Sequence, residues 1–158
     1  LGKVSKIREV LGADCGISSD MITGFCTETE EEHQQTLSLM DLVKYDFSYM
    51  FFYSERPGTL AAKKWEDDVP EEVKKRRLNE IIKKQNEHSL LSNLRDVGKV
   101  HQVLIEGESK RSSDFWQGRN TANKVVVFPK ETFKKGDYVN VLVESCTGGT
   151  LIGRPVTS

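Results

Sequence analysis

The sequence predicts an α/β portion followed by an all-β portion, and three observations predict it. Between residues 17 and 53 an apolar run, a capped amphipathic helix and a second apolar run follow one another, which is the order of a βαβ unit. After Asp96 the texture changes to five short runs rich in Val, Ile, Phe and Tyr, separated by Gly and polar turns. That pattern suits a small closed five-stranded antiparallel barrel, whose closure hides its strand edges. The charge changes with the texture. Residues 1–92 carry 13 basic and 17 acidic side chains, and residues 93–158 carry 10 and 7. Two domains are therefore expected, 1–92 and 93–158, and the second is the better candidate for touching a polyanion.

The elements follow in order. Val4, Ile7, Val10 and Leu11 recur at helical spacing over residues 3–11, and Asp14-Cys15-Gly16 ends that helix. Residues 17–25 read as a strand. Thr27 and Thr29 each precede a Glu by three positions (Glu30 and Glu32), the signature of a capping box. Acidic residues fill the first turn of the helix that follows, where they complement its dipole. This helix runs to about Lys44, and a second strand occupies residues 47–53. Residues 60–69 read as a polar connection. Asp68 followed by Pro70-Glu71-Glu72 opens a long helix to about Leu91, with Val73, Leu78, Ile81, Ile82 and Gln85 as its inner stripe. Lys74 to Arg77, with Lys83 and Lys84, then form a basic outer face. The five later strands fall at residues 100–106, 115–119, 124–128, 138–144 and 150–154.

Composition narrows the function classes. With 158 residues, 37% of them hydrophobic, the chain suits globular domains, and no apolar run is long enough to cross a membrane. Leu1-Gly2-Lys3-Val4-Ser5 lacks the charged start and apolar stretch of a secretory signal, so a cytoplasmic protein is expected. Cys15, Cys26 and Cys146 are odd in number and widely spaced. They predict reduced thiols rather than a disulfide framework, and they offer no local metal site. His33, His88 and His101 are isolated, and none is read as catalytic.

Ligand sites of βαβ units lie at the carboxyl ends of the strands. Two segments stand there: Gly24-Phe25-Cys26-Thr27-Glu28-Thr29 and Tyr53-Ser54-Glu55-Arg56-Pro57-Gly58-Thr59. In the first, Gly24 permits close approach of a flat ligand to the backbone, and the helix start offers amide donors. In the second, Pro57-Gly58 predicts a type II turn that sets Arg56 at the rim, suited to a carboxylate or phosphate. An ordinary βα turn, and an Arg paired with a nearby carboxylate, are the plain readings of the same residues. In the second domain Lys110, Arg111, Arg119 and Lys124, with Asn123, are read as a basic and amide patch that Lys134 and Lys135 extend. Phe115 and Trp116 are candidates to stack on an unpaired base, barrel packing being the alternative for Trp116.

These segments carry a resemblance. Asp20 to Thr29 resembles the D-x-I-x-G-F-P-x-E-T segment of the radical-SAM methylthiotransferases, with Cys26 where that family has proline. Tyr53 to Ala62 resembles the family's Y-S-x-R-P-G-T-x-A loop, and Val69 to Arg76 its linker. Three further stretches resemble the TRAM domain, an RNA-binding barrel appended to these enzymes: residues 103–110, residues 118–128, and Gly136-Asp137-Tyr138-Val139 with Thr150-Leu151-Ile152-Gly153. The resemblance implies that residues 1–92 are the C-terminal portion of a radical-SAM partial (β/α) barrel and residues 93–158 a TRAM barrel. It implies a parent enzyme that uses S-adenosyl-L-methionine (SAM) and [4Fe-4S] clusters. That enzyme adds a methylthio group to carbon two of an isopentenylated adenosine beside the anticodon of tRNA. Ile22, Gly24, Glu28 and Arg56 would then serve the SAM side, and Lys110, Arg111, Arg119, Asn123 and Lys124 the RNA.

The family's C-x-x-x-C-x-x-C motif is absent. The chain is accordingly expected to be a C-terminal fragment that neither binds a cluster nor catalyses by itself. Two parallel strands and three helices leave part of a sheet uncovered. Exposed apolar strand edges, or dimer contacts that cover them, are therefore expected. Two alternatives stay open: an RNA-binding protein without chemistry, and a related methylthiotransferase acting on threonylcarbamoyl-adenosine or on a ribosomal protein.

Overall fold

The computed structural model describes residues 1–156, which divide into two compact units. Residues 1–4 and 17–88 make the first; residues 5–16 and 89 onward make the second. Helix α1 (Gly2–Leu11) opens the chain, and no residue of it is buried.

The first unit is built on two parallel strands, β1 (Ser18–Thr23) and β2 (Phe47–Phe52), paired from Ser18 with Phe47 to Thr23 with Phe52. Between them runs α2 (Glu30–Val43). Of the two capping patterns in the sequence, only the second forms. The Thr29 side chain accepts from the Glu32 N–H while Glu32 reaches back to the Thr29 N–H. Thr27 lies outside the helix, with φ at +68°.

Helix α4 (Glu71–Leu94) packs on the same side of the sheet, where Met21, Met40 and Ile81 form the core with Leu37, Tyr45 and Met50 against them. The phase of α4 differs from the expected stripe. Its buried positions are Lys74, Arg77, Ile81, Gln85, Ser89, Ser92 and Asn93, so two residues expected on the basic outer face, Lys74 and Arg77, point inward. They are tolerated because each cation is matched: Lys74 pairs with Asp67, and Arg77 with Glu28. A short helix, α3 (Leu60–Lys64), stands where a polar connection was expected, capped by the Thr59 hydroxyl.

Strand side chains alternate between faces. Met21 and Thr23 are buried under the helices, whereas Asp20, Ile22, Tyr49 and Phe51 lie on the opposite face. That face is bare, with Ile22 58%, Tyr49 61% and Phe51 56% exposed.

The second unit is a closed barrel of five strands: β3 (Val100–Ser109), β4 (Ser112–Asn120), β5 (Val125–Pro129), β6 (Tyr138–Cys146) and β7 (Leu151–Pro155). The ring order is β3-β4-β5-β7-β6. Four pairings are antiparallel, but β5 and β7 run parallel, through Val126 with Leu151 and Val127 with Ile152. An all-antiparallel barrel was expected. A closed ring with an odd number of strands cannot alternate direction throughout, so at least one pair must be parallel. Alternate residues fill the interior: Val103 and Ile105, Val126 and Phe128, and Val139, Val141 and Val143, with Leu151.

Candidate functional site

At the carboxyl ends of β1 and β2 the first unit holds a cleft of about 580 Å³. Ile22, Phe25, Phe51 and Tyr53 make its apolar wall; Asp20 and Arg56 are its charged members. The register sets Ile22 beside Phe51 on the bare face. Phe25 stacks edge-on against Tyr53 (4.9 Å between ring centres) and Trp65 (6.0 Å). Arg56 opens a turn closed by the Thr59 N–H on the Arg56 carbonyl, with Pro57 second and Gly58 third at φ +85°. This is the expected type II turn. Among the described residues no carboxylate engages Arg56, so its guanidinium stands available at the rim.

Gly24 and Glu28 occupy a different place. Gly24 has φ +66°, and a Cβ there would fall 2.4 Å from Cγ of Lys74, so that space belongs to a packed side chain rather than to an approaching ligand. The Gly24 N–H donates to Glu28 Oε1 (3.0 Å), which also takes the Thr23 hydroxyl (3.3 Å) and Nη1 of Arg77 (2.8 Å). Arg77 and Glu28 are both largely buried, at 5% and 14% side-chain exposure. These two residues hold the loop; Ile22 and Arg56 face the cleft. The sequence offered no signal for Lys74 and Arg77, because their roles depend on which face of α4 turns inward. Phe25 stood in the first candidate segment, but its pairing with Trp65 joins residues far apart in the chain.

Cys15, Cys26 and Cys146 are free thiols, and among the described residues no cysteines converge, so they do not fit an iron–sulfur cluster. Glu30, His33 and Glu80 bring ligand atoms within 4.8 Å of one another. Their atoms are already engaged: Arg76 holds both carboxylates, and His33 Nε2 lies 2.7 Å from Glu80. An apolar wall with one cation, Arg56, and one carboxylate, Asp20, among its lining fits a molecule whose flat ring is separate from its charged groups, as in SAM.

In the second unit the five basic and amide residues divide. Lys110 and Arg111 form the exposed turn between β3 and β4, and their side chains make no hydrogen bond or ion pair among the described residues. Arg119 and Asn123 lie toward the other end of β4, roughly 26 Å along the strand at its usual rise. There Arg119 donates to the Asn123 carbonyl (2.9 Å) and amide oxygen (3.2 Å) and approaches Glu106 (3.3 Å). Lys124 turns inward, its ammonium 2.6 Å from Asp96 and 2.8 Å from the Ser92 hydroxyl. The expected single patch is thus two exposed basic sites plus one internal ion pair. Trp116 packs against the barrel core and donates from Nε1 to the Phe133 carbonyl (3.2 Å), whereas Phe115 lines an outer groove.

Residues 94–156 match the family model described as the TRAM domain. The chain is 67% identical to a tRNA-2-methylthio-N(6)-dimethylallyladenosine synthase of Amoebophilus asiaticus, over 99% of the chain and 32% of that protein.

This chain is a homologue of that synthase.

A synthase of the same name from Christiangramia forsetii is 59% identical over 97% of the chain and 32% of its own length. One from Bacteroides fragilis is 51% identical over the whole chain and 34% of its own length. The chain therefore spans about a third of the curated synthases it matches. The solution structure of a conserved protein from Methanococcus maripaludis aligns with 39% of the chain at 26% identity and TM-score 0.32. Within the TRAM domain lie all five barrel strands, both exposed basic sites and the Lys124–Asp96 pair. No helix among the described residues is long and apolar enough to cross a membrane.

Proposed function

We propose that this chain is the carboxyl-terminal part of a tRNA methylthiotransferase. The parent enzyme adds a methylthio group to carbon two of an isopentenylated adenosine beside the anticodon. The observation that carries this reading is 67% identity, over 99% of the chain, to a synthase named for that nucleoside. The bare face of the β1–β2 sheet supports assigning residues 1–92 to a slice of a radical-SAM barrel. A sheet covered by helices on one side only has its other face turned toward something else, and in a (β/α) barrel that face is the interior.

Ile22 and Arg56 are then the residues of this chain that face SAM, the apolar side chain against its adenine and the guanidinium against a charged group. When bound, SAM supplies the methyl group and the radical that activates carbon two. Gly24 and Glu28 act one step back, by holding the loop that carries Phe25. The TRAM domain, residues 93–158, grips tRNA through Lys110, Arg111, Arg119 and Asn123, while Lys124 anchors the turn that presents Asn123. The parent's [4Fe-4S] clusters are held outside this chain, so the chain alone is catalytically silent. Its setting is cytoplasmic, where tRNA is found.

Titration of the chain with an anticodon stem-loop RNA at several salt concentrations tests the tail. Affinity that falls steeply with salt is expected if phosphates are the partner; flat or absent binding overturns the assignment. Iron content and deoxyadenosine release test the silence of the chain, and either one clearly present refutes it.

A further inference from the structure

The outer wall of the TRAM barrel carries a groove of about 420 Å³, a volume ordinary for a small-ligand site. Strand pairing lays out its floor. Gln117 pairs with Val127, and Val127 pairs with Ile152, so these three residues form a row across β4, β5 and β7. Phe115 lies two residues before Gln117 and so shares its face. Above this floor stands the β3–β4 turn with Lys110 and Arg111. No carboxylate lines the groove, and neither cation has an internal partner among the described residues. The Gln117 side-chain amide is likewise not engaged within the described residues.

We infer that this groove binds one unpaired nucleotide of a single-stranded RNA segment. Its base lies against Phe115, its polar edge meets the Gln117 amide, and its phosphates meet Lys110 and Arg111. The inference rests on the RNA-binding reading of the TRAM domain and adds the site to it. Three features select this occupant. An aromatic ring with an aliphatic floor takes the π-face of any base. An amide has both a donor and an acceptor for a base edge. Two cations without carboxylates complement a phosphodiester and repel a basic peptide. Bases in a duplex are stacked and paired, so the groove discriminates against double-stranded RNA. Trp116, the other aromatic candidate, is committed to the core.

The experiment measures binding of the whole chain to an eight-nucleotide single-stranded RNA and to a blunt RNA duplex. Phe115→Ala is expected to weaken single-strand binding about ten-fold, the loss of one base stack, and to leave duplex binding unchanged. Phe115→Trp is expected to retain affinity and to show quenched fluorescence on binding. The double variant Lys110→Ala with Arg111→Ala is expected to lower the log–log salt slope by about 1.4, roughly 0.7 per lost phosphate contact. Single-strand binding unaltered in folded Phe115→Ala overturns the groove while leaving the RNA reading intact. Absence of binding to either RNA by the unaltered chain overturns both. Should Phe115→Ala fail to fold, unquenched Phe115→Trp in the presence of bound RNA overturns the groove instead.

Discussion

The Lys124 ammonium sits 2.6 Å from the Asp96 carboxylate, with side chains only 11% and 9% exposed. The same ammonium donates to the Ser92 hydroxyl and carbonyl oxygens, and His101 Nε2 lies 3.4 Å from the other Asp96 oxygen. Lys124 is thus a strut of the barrel, tying the β4–β5 turn to the residues around the end of α4. Lys124→Ala is expected to destabilise the chain by about 3 kcal/mol, because it leaves Asp96 buried without its counter-charge. Thermal melting checks this. Lys110→Ala, an exposed change, should stay within about 0.5 kcal/mol of the parent in the same assay.

Gly24 is held in the left-handed region with Lys74 packed where a Cβ would go. Lys74 cannot swing away readily, since it is buried, donates to the Tyr53 carbonyl (3.3 Å) and pairs with Asp67. Gly24→Ala is therefore expected to cost about 2 kcal/mol or more, from strained φ and the displaced lysine together. Denaturant unfolding measures it, and an unchanged midpoint would show that the loop relaxes freely.

Thr27 is a β-branched residue at φ +68°, third in a turn closed by the Glu28 N–H on the Phe25 carbonyl (2.9 Å). With Cys26 second at negative φ, this is the pattern of a type II turn, which favours proline second and glycine third. Thr27→Gly should raise stability by about 0.5–1 kcal/mol, the relief of strain less the extra freedom of the unfolded chain. A lowered melting temperature would show that the threonine makes a contribution the turn geometry does not reveal.

Glu30 is hydrogen-bonded by Arg76 (2.6 Å), and this partner above all holds its carboxyl at about 2, against an ordinary 4.5. A carboxyl lowered by folding stabilises the native state above its unfolded pKa and loses that contribution as pH falls through the folded one. The difference in stability between the parent chain and Glu30→Gln should be constant above about pH 4.5 and shrink toward pH 2. Unfolding curves across that range decide; a constant difference down to pH 2 would count against the pair.

Much of the architecture was legible from local pattern. The βαβ order followed from apolar runs flanking a capped helix, and Thr29 with Glu32 formed the box their spacing announces. The five barrel strands fell where alternation and turns put them, because a half-buried strand must alternate. Pro57-Gly58 produced its turn for the same local reason. The parallel β5–β7 pair was not legible, since it follows from closing the ring. The short α3 was missed because its five residues are too few to show a helical period.

The candidate sites divided in a similar way. Ile22 and Arg56 face the cleft because strand parity and a tight turn dictate it. Gly24, Glu28 and Lys124 carry residue types that suit a ligand equally well, and their neighbours alone show them serving the scaffold. Phe115 and Trp116 are adjacent in a strand, so one must face outward, but only the barrel's closure tells which.

By itself the sequence determined the kinds of element and their order, since these depend on backbone preference and on apolar spacing over a few residues. The tertiary structure decided which face of α4 is buried, which cations are already matched by carboxylates, and which aromatic ring remains open to a partner. Those questions turn on charges and side chains brought together from positions far apart in the chain, and desolvation of a charge is settled only when its neighbours are in place.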